Sequence, residues 1–131
     1  MKIVADTNVL LRAIVGDDPA QSRAAIDAME QAQTVAVSLH ALCELVWVLL
    51  RRYGAARGDV AAAIEQLLNT RNVVLNRPAV EAGLSQLLAG GDFADGVIAY
   101  EGRWLGGDTF VSYDKQAVAL LKADGHAARL L

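Results

Sequence analysis

MKIVADTNVLL, residues 1–11, decides how the rest of the chain is read. Ile3-Val4-Ala5 is a short apolar run with the composition of a buried parallel strand. Asp6 ends it, and Thr7 and Asn8 both suit the N-cap of a helix through Val9, Leu10, Leu11 and Ile14. The order is strand, carboxylate, helix. In open α/β sheets ligands bind outside the carboxyl ends of the strands, so Asp6 falls where a site would form. Asp6 alone reads equally well as the end of a strand beside a helix N-terminus. Carboxylates elsewhere that reach the same kind of position separate the two readings.

Outward from this stretch the pattern repeats. Asp18 caps and Pro19 begins a helix over residues 20–32, and residues 34–37 (TVAV) make a second strand. Ser38 caps a helix from His40 to Tyr53 that stops at Gly54, and Gly58-Asp59 opens another from Val60 to Asn69. Val73-Val74-Leu75 is a third strand, and Pro78 starts a helix to Leu88 ended by Gly90-Gly91. Asp92 begins a helix from Phe93 to about Trp104. Phe110-Val111-Ser112 is a fourth strand, Asp114 opens a last helix to Ala123, and Ala127 to Leu131 adds a short edge strand. Short apolar strands alternating with helices predict an α/β fold: a mostly parallel central sheet of four to five strands, flanked by helices on both faces. No linker or repeat interrupts residues 1–131, which read as one domain.

Bulk properties bound the function. The 131 residues are 54% hydrophobic, with mean hydropathy +0.30, rich for a small domain and pointing to an oligomer or a tight protein partner. A net charge of −3 and a pI near 5.2 exclude a purely electrostatic nucleic-acid binder, but not an enzyme that holds phosphate through metal ions. Cys43 is the only cysteine, so neither a disulfide framework nor a cysteine zinc site forms within one chain. Asp6 interrupts any signal-like core at the N-terminus, and the most apolar window, Val35 to Leu50, is broken by Ser38, His40 and Glu44. A soluble cytoplasmic protein without a membrane span is expected.

Most of the fifteen acids read as solvated helix faces. Glu44 does not. Its helix, HALCELVWVLL (residues 40–50), is apolar nearly all round and predicts burial, where an unpaired carboxylate costs several kcal/mol. A cleft is the cheapest answer to that cost and makes Glu44 a site candidate; a His40 pair or a wet helix edge is the bland alternative. Asp92 and Asp95, three apart, share a helix face and also suit capping. Asp114 follows its strand as Asp6 follows the first. Two such carboxylates on adjacent strands of one parallel sheet, about 4.8 Å apart, would share an ion. Crowded carboxylates need a counter-charge, and without Cys or a His cluster Mg²⁺ or Mn²⁺ suits them best.

DTN at Asp6 to Asn8, Glu44 in CELVWVL, DFAD at Asp92 to Asp95 and SYDK around Asp114 together resemble the acidic set of PIN-domain ribonucleases, and most closely the toxins of bacterial VapBC toxin–antitoxin pairs. The resemblance runs from the first strand to the last helix. It implies a Mg²⁺-dependent RNA endonuclease, a homodimer, and a small antitoxin protein that blocks the site. By position, Asp6, Glu44, Asp95 and Asp114 take the four acid places, Asp92 a less constant fifth, and Asn8 and Ser112 supporting polar places. Tyr113 stands where the family more often has Phe.

The implied chemistry is hydrolysis of an RNA phosphodiester by water at a carboxylate-held metal site. Arg12, Arg51, Arg52, Arg103 and Lys115 are candidates for phosphate contacts and equally for ordinary surface charges. Trp47 and Trp104 are candidates for stacking on bases, but their helical spacing favours a core or interface place. His40 and His126 are not spaced as a catalytic pair, and no glycine loop for nucleotides is present. The rival readings are a phospho-acceptor signalling domain, disfavoured because Val73-Val74-Leu75 is followed by Asn76 rather than Asp, and a PIN-like scaffold that dimerises and binds a protein without catalysis.

Overall fold

The computed structural model describes residues Met1–Leu131, which divide into two compact units, Met1–Asn76 and Arg77–Leu131. The α/β class is as expected, and every strand pairing is parallel. The five strands, however, are hydrogen-bonded as a three-stranded and a two-stranded sheet rather than one.

In the first unit β1 (Lys2–Val4), β2 (Thr34–Ala36) and β3 (Val73–Val74) lie in the order β1-β2-β3. Parallel neighbours need a crossover. Helices α1 (Thr7–Ile14) and α2 (Pro19–Gln31) join β1 to β2, and α3 (Leu39–Arg51) and α4 (Arg57–Leu68) join β2 to β3. The register sets Ile3 opposite Val35 and Val35 opposite Val73, and Val35 on the central strand is fully buried. β1 is an edge strand, which corrects the expectation of a buried one: Val4 is 80% exposed and only Ala5, just past its end, is fully sheltered. Leu10, Leu42, Leu45 and Ile64 fill the core. Asn72 Nδ2 donates to the carbonyls of Met29 (2.8 Å) and Ala32 (2.9 Å), satisfying orphan oxygens at the end of α2 and anchoring the approach to β3.

The second unit comprises α5 (Arg77–Leu88), α6 (Phe93–Trp104), β4 (Phe110–Ser112), α7 (Lys115–Ala123) and β5 (Ala128–Leu130). β5 lies parallel to β4, with Phe110 opposite Ala128 and Ser112 opposite Leu130. Glycines bring α5 and α6 together. A Cβ on Gly96 would stand 2.3 Å from the Ala82 carbonyl oxygen, and one on Gly83 would stand 2.6 Å from the Phe93 ring. Each helix therefore lies where the other has no side chain. Gln86 is the one polar residue of this core, and its buried Oε1 has no partner.

Sequence boundaries are recovered to within a few residues, with one informative exception. Thr7 and Asn8, expected as caps, are the first helical residues, and Asp6 itself caps α1. A polar residue in extended conformation wins the cap position because its carboxylate reaches back to the free amides. α4 starts early, at Arg57, with no side-chain cap.

Gly96→Ala is expected to destabilise the fold by roughly 2–3 kcal/mol in urea unfolding, since the clash is with backbone and cannot relax by a rotamer change. Gly102→Ala, in the same helix with open space at its Cβ, is expected to stabilise by roughly 0.5–1 kcal/mol. Equal effects from the two substitutions would contradict this packing.

Candidate active site

The first unit holds a cleft of about 770 Å³ at the carboxyl ends of β1 and β2. Asp6, Thr7, Asn8, Ser38, His40 and Glu44 supply its polar wall, and Trp47 and Arg52 extend it along α3. Asp6 is held by its own helix: Oδ1 accepts the Val9 amide at 3.0 Å, and no protein donor meets Oδ2. Ser38 Oγ caps α3 through the Ala41 amide (3.1 Å), which fixes the start of the helix that carries Glu44.

Glu44 is not buried. Its side chain is 53% exposed; Oε1 lies 3.1 Å from His40 Nδ1 and Oε2 accepts from Thr7 Oγ1 at 3.4 Å. The burial cost expected from the apolar helix does not arise, because His40, Glu44, Trp47 and Arg51 recur at one helical interval and make a wet edge. The plainer alternative, a His40 pair on a polar edge, is the local geometry, and that edge lines the cleft.

The second unit carries the other acids. Asp92 caps α6, with Oδ1 accepting the Ala94 amide at 3.0 Å. Asp114 caps α7, with Oδ1 accepting from the amides of Gln116 (2.9 Å) and Ala117 (3.1 Å). Ser112 Oγ accepts the Asp114 amide at 2.9 Å and so holds the turn between β4 and that cap. Half-buried Asp95 has its carboxyl pKa raised above the ordinary 3.8, first by burial and then by the charges of Asp92 and Asp114. These three therefore share one electrostatic neighbourhood. Asp6 and Asp114 do not follow adjacent strands of one sheet, as the sequence suggested; β1 and β4 belong to different sheets.

Within neither unit do three His, Cys, Asp or Glu side chains gather tightly enough to cage an ion by themselves. The donor chemistry nonetheless suits a hard divalent cation. Asp6, Asp92 and Asp114 each spend only Oδ1 on helix amides, and Asp95 has acidic neighbours but no cation to offset them.

The basic candidates are unequal. Arg12 is committed elsewhere: Nη1 meets Asp17 Oδ1 at 2.8 Å, and Tyr53 Oη donates to Asp17 Oδ2 at 3.0 Å. Asp17 is held below the ordinary carboxylate range by the Tyr53 hydrogen bond and then by Arg12. Arg103 lies over the Tyr100 ring, 5.7 Å from its centroid. Arg51 and Lys115 are exposed, and Arg52 lines the cleft. Trp47, expected in a core or interface, is 54% exposed and lines it too. The interval from His40 through Glu44 to Trp47 carried that signal. No helix is long and apolar enough to cross a membrane.

The PIN domain family model matches residues 3–120, so the chain belongs to the PIN domain family. Sequence comparison with curated proteins finds no match. Among solved structures, the chain is similar to Mycobacterium tuberculosis VapC20, a toxin that cleaves the sarcin–ricin loop, with 21% identity, TM-score 0.45, and coverage of 96% of this chain and 97% of that one. The family assignment rests on the sequence match.

Asp95 yields a pH test. Its raised pKa means that the native state binds the proton more tightly than the unfolded chain, so this contribution to stability is full below pH 3.8 and is lost as pH rises through the native value. Asp95→Asn is therefore expected to raise the Tm of metal-free protein at pH 7, with the gap closing in acid. A gap that stays constant from pH 7 to pH 4 would contradict the electrostatic origin.

Proposed function

We propose that this PIN domain is a divalent-metal-dependent endoribonuclease, the toxin of a type II toxin–antitoxin pair, with RNA as substrate. The observation that carries the reading is the placing of its acids: of the four helix-capping aspartates, Asp6, Asp92 and Asp114 each keep one oxygen outside the cap (Asp18, the fourth, caps α2), half-buried Asp95 feels the charges of Asp92 and Asp114, and Glu44 is on the wall of the Asp6 cleft. Holding Asp95 ionised among like charges costs stability, and functional sites are where such costs concentrate.

In this reading Asp6, Asp95, Glu44, Asp114 and Asp92 are the metal ligands, directly or through water. When bound, Mg²⁺ or Mn²⁺ supplies Lewis acidity toward water and the phosphodiester. The chain's own groups do the rest. The caps hold the carboxylates rigidly, so their charge is in place before substrate arrives. Asn8 and Ser112 are supporting polar groups, the latter through the Asp114 turn. Glu44, already bridged to His40 and Thr7, is poised to accept a proton from an attacking water. Arg52 is the phosphate contact at the cleft; Arg51, Arg103 and Lys115 are secondary, and Arg12 is weakened by its tie to Asp17.

Partners follow from the same reading. Exposed Ile98, Trp104 and Leu105 offer an apolar surface on and just beyond α6, which supports a homodimer or an antitoxin contact. Action on cellular RNA sets the site of work in the cytoplasm.

Purified protein, stripped of any co-expressed antitoxin, is expected to cut a structured RNA with Mg²⁺ and not with EDTA. Asp6→Asn preserves a good helix cap while removing the charge, so it is expected to lower cleavage about 100-fold or more with little change in Tm. Absence of both cutting and Mg²⁺ binding by calorimetry would overturn the enzyme and leave a protein-binding scaffold.

A further inference from the structure

The cleft beside Asp6 and Glu44 contains one large side chain that the hydrolysis does not need. Trp47 lies on α3 one turn beyond Glu44, with its side chain half in solvent although five residues of the same helix, Ala41, Leu42, Leu45, Val46 and Leu49, are buried. Tryptophan is among the residues most sheltered on average, and an indole left wet on a cleft wall keeps its apolar face available. Leu45, Val46 and Leu49 are buried on the other side of α3, so the core packing of the helix rests mainly on them rather than on Trp47.

We infer that Trp47 is a specificity-determining residue: it stacks on one unpaired base of the RNA whose phosphate lies at the Asp6–Glu44 cleft, with Arg52 on the neighbouring phosphate. This rests on the ribonuclease reading and adds to it which nucleotides are accepted. An indole stacks only on a base whose π-face is open, so the cleft selects single-stranded, looped or bulged RNA against continuous duplex. The setting favours a nucleotide over a protein occupant. Besides Trp47, the wall is mixed: two carboxylates, Thr7, Asn8, Ser38, His40 and Arg52 stand beside the small apolar side chains of Val4, Ala5, Ala41 and Val48. A volume of about 770 Å³ lies in the range that takes a ligand of nucleotide size. Arg52 is the only arginine lining this cleft, and Arg12 lies outside it, tied to Asp17. Trp104, more exposed still, is not in the cleft and serves as the control.

The test uses the full chain with a short single-stranded oligoribonucleotide and the same strand annealed in a duplex. Binding is followed with Ca²⁺ in place of Mg²⁺, by anisotropy of an end-labelled oligonucleotide for every variant and by Trp47 fluorescence in a Trp104→Phe protein that keeps Trp47, and cleavage is followed with Mg²⁺. Quenching by the single strand and not by the duplex is expected. Trp47→Ala is expected to weaken single-strand binding roughly 10- to 100-fold, the effect of losing one stacked base, and to raise KM more than it lowers kcat. Trp47→Phe is expected to recover most of that loss, and metal affinity by calorimetry should be the same in all three proteins. Wild-type binding and unchanged KM in Trp47→Ala would overturn the stacking role while the nuclease stands. So would normal RNA handling with loss of a co-expressed protein partner, which would make Trp47 a protein contact. Failure of wild-type protein to bind metal or cut any RNA would overturn the nuclease reading itself, and the metal titration separates that failure because Trp47 takes no part in it.

Discussion

The structure depends on a carboxylate at the start of a helix. Asp6, Asp92 and Asp114 each sit in extended backbone just before α1, α6 and α7, and each gives one oxygen to the free amides of the first turn. That bond satisfies donors that no intrahelical carbonyl reaches, and the partial positive charge of the helix end favours the ionised acid. Capping also immobilises the group. A capped aspartate has its torsions set by the helix, while its second oxygen stays outside the cap. One carboxylate therefore serves the fold through its bonded oxygen and keeps the other outside the cap.

Asp95 has no such support. It is half-buried in the first turn of α6, and its nearest charges are acids. Its position follows from glycines rather than from its own bonds. Gly96 lies against the backbone of α5 and Gly83 against Phe93, so α6 is pressed onto α5 at the residue after Asp95. The side chain is carried into its charged surroundings by packing that it does not contribute to. Glu44 differs again. It is wet, bridged by His40 and Thr7, and placed by the Ser38 cap one and a half turns earlier. The acids thus reach their places by three physical routes: capping, close helix packing and an exposed helix edge.

Membership of the PIN domain family supports the ribonuclease reading proposed from these local facts. A cleft that combines Asp6 and Glu44 with a wet indole and one free guanidinium suits a strand of nucleotides better than a small metabolite, because it offers separate partners for phosphate and base. The acidic balance of the chain fits the proposed reading, in which a divalent cation would stand between the carboxylates and a phosphate.

The sequence alone determined the order of elements, the α/β class and the positions of the acids at strand and helix ends, because these depend on local periodicity, breakers and capping chemistry. Asp18-Pro19 and Ser38 are correctly legible as helix starts for that reason. The resemblance of DTN, Glu44, DFAD and SYDK likewise anticipated the family found over residues 3–120. Only the tertiary structure decided which faces are wet and which strands pair. An apolar stretch such as residues 40–50 does not reveal that Glu44 and Trp47 share an edge left uncovered, since exposure depends on what packs against a helix from elsewhere. Strand composition does not say that β1 is an edge, or that β4 pairs with β5, because hydrogen-bonding partners are chosen across long sequence separations. Nor does a string of charges show that Arg12 is already bound to Asp17, or that Asp95 is pushed up in pKa by burial and by its acidic neighbours. Those are distances through space, and local sequence pattern does not encode them.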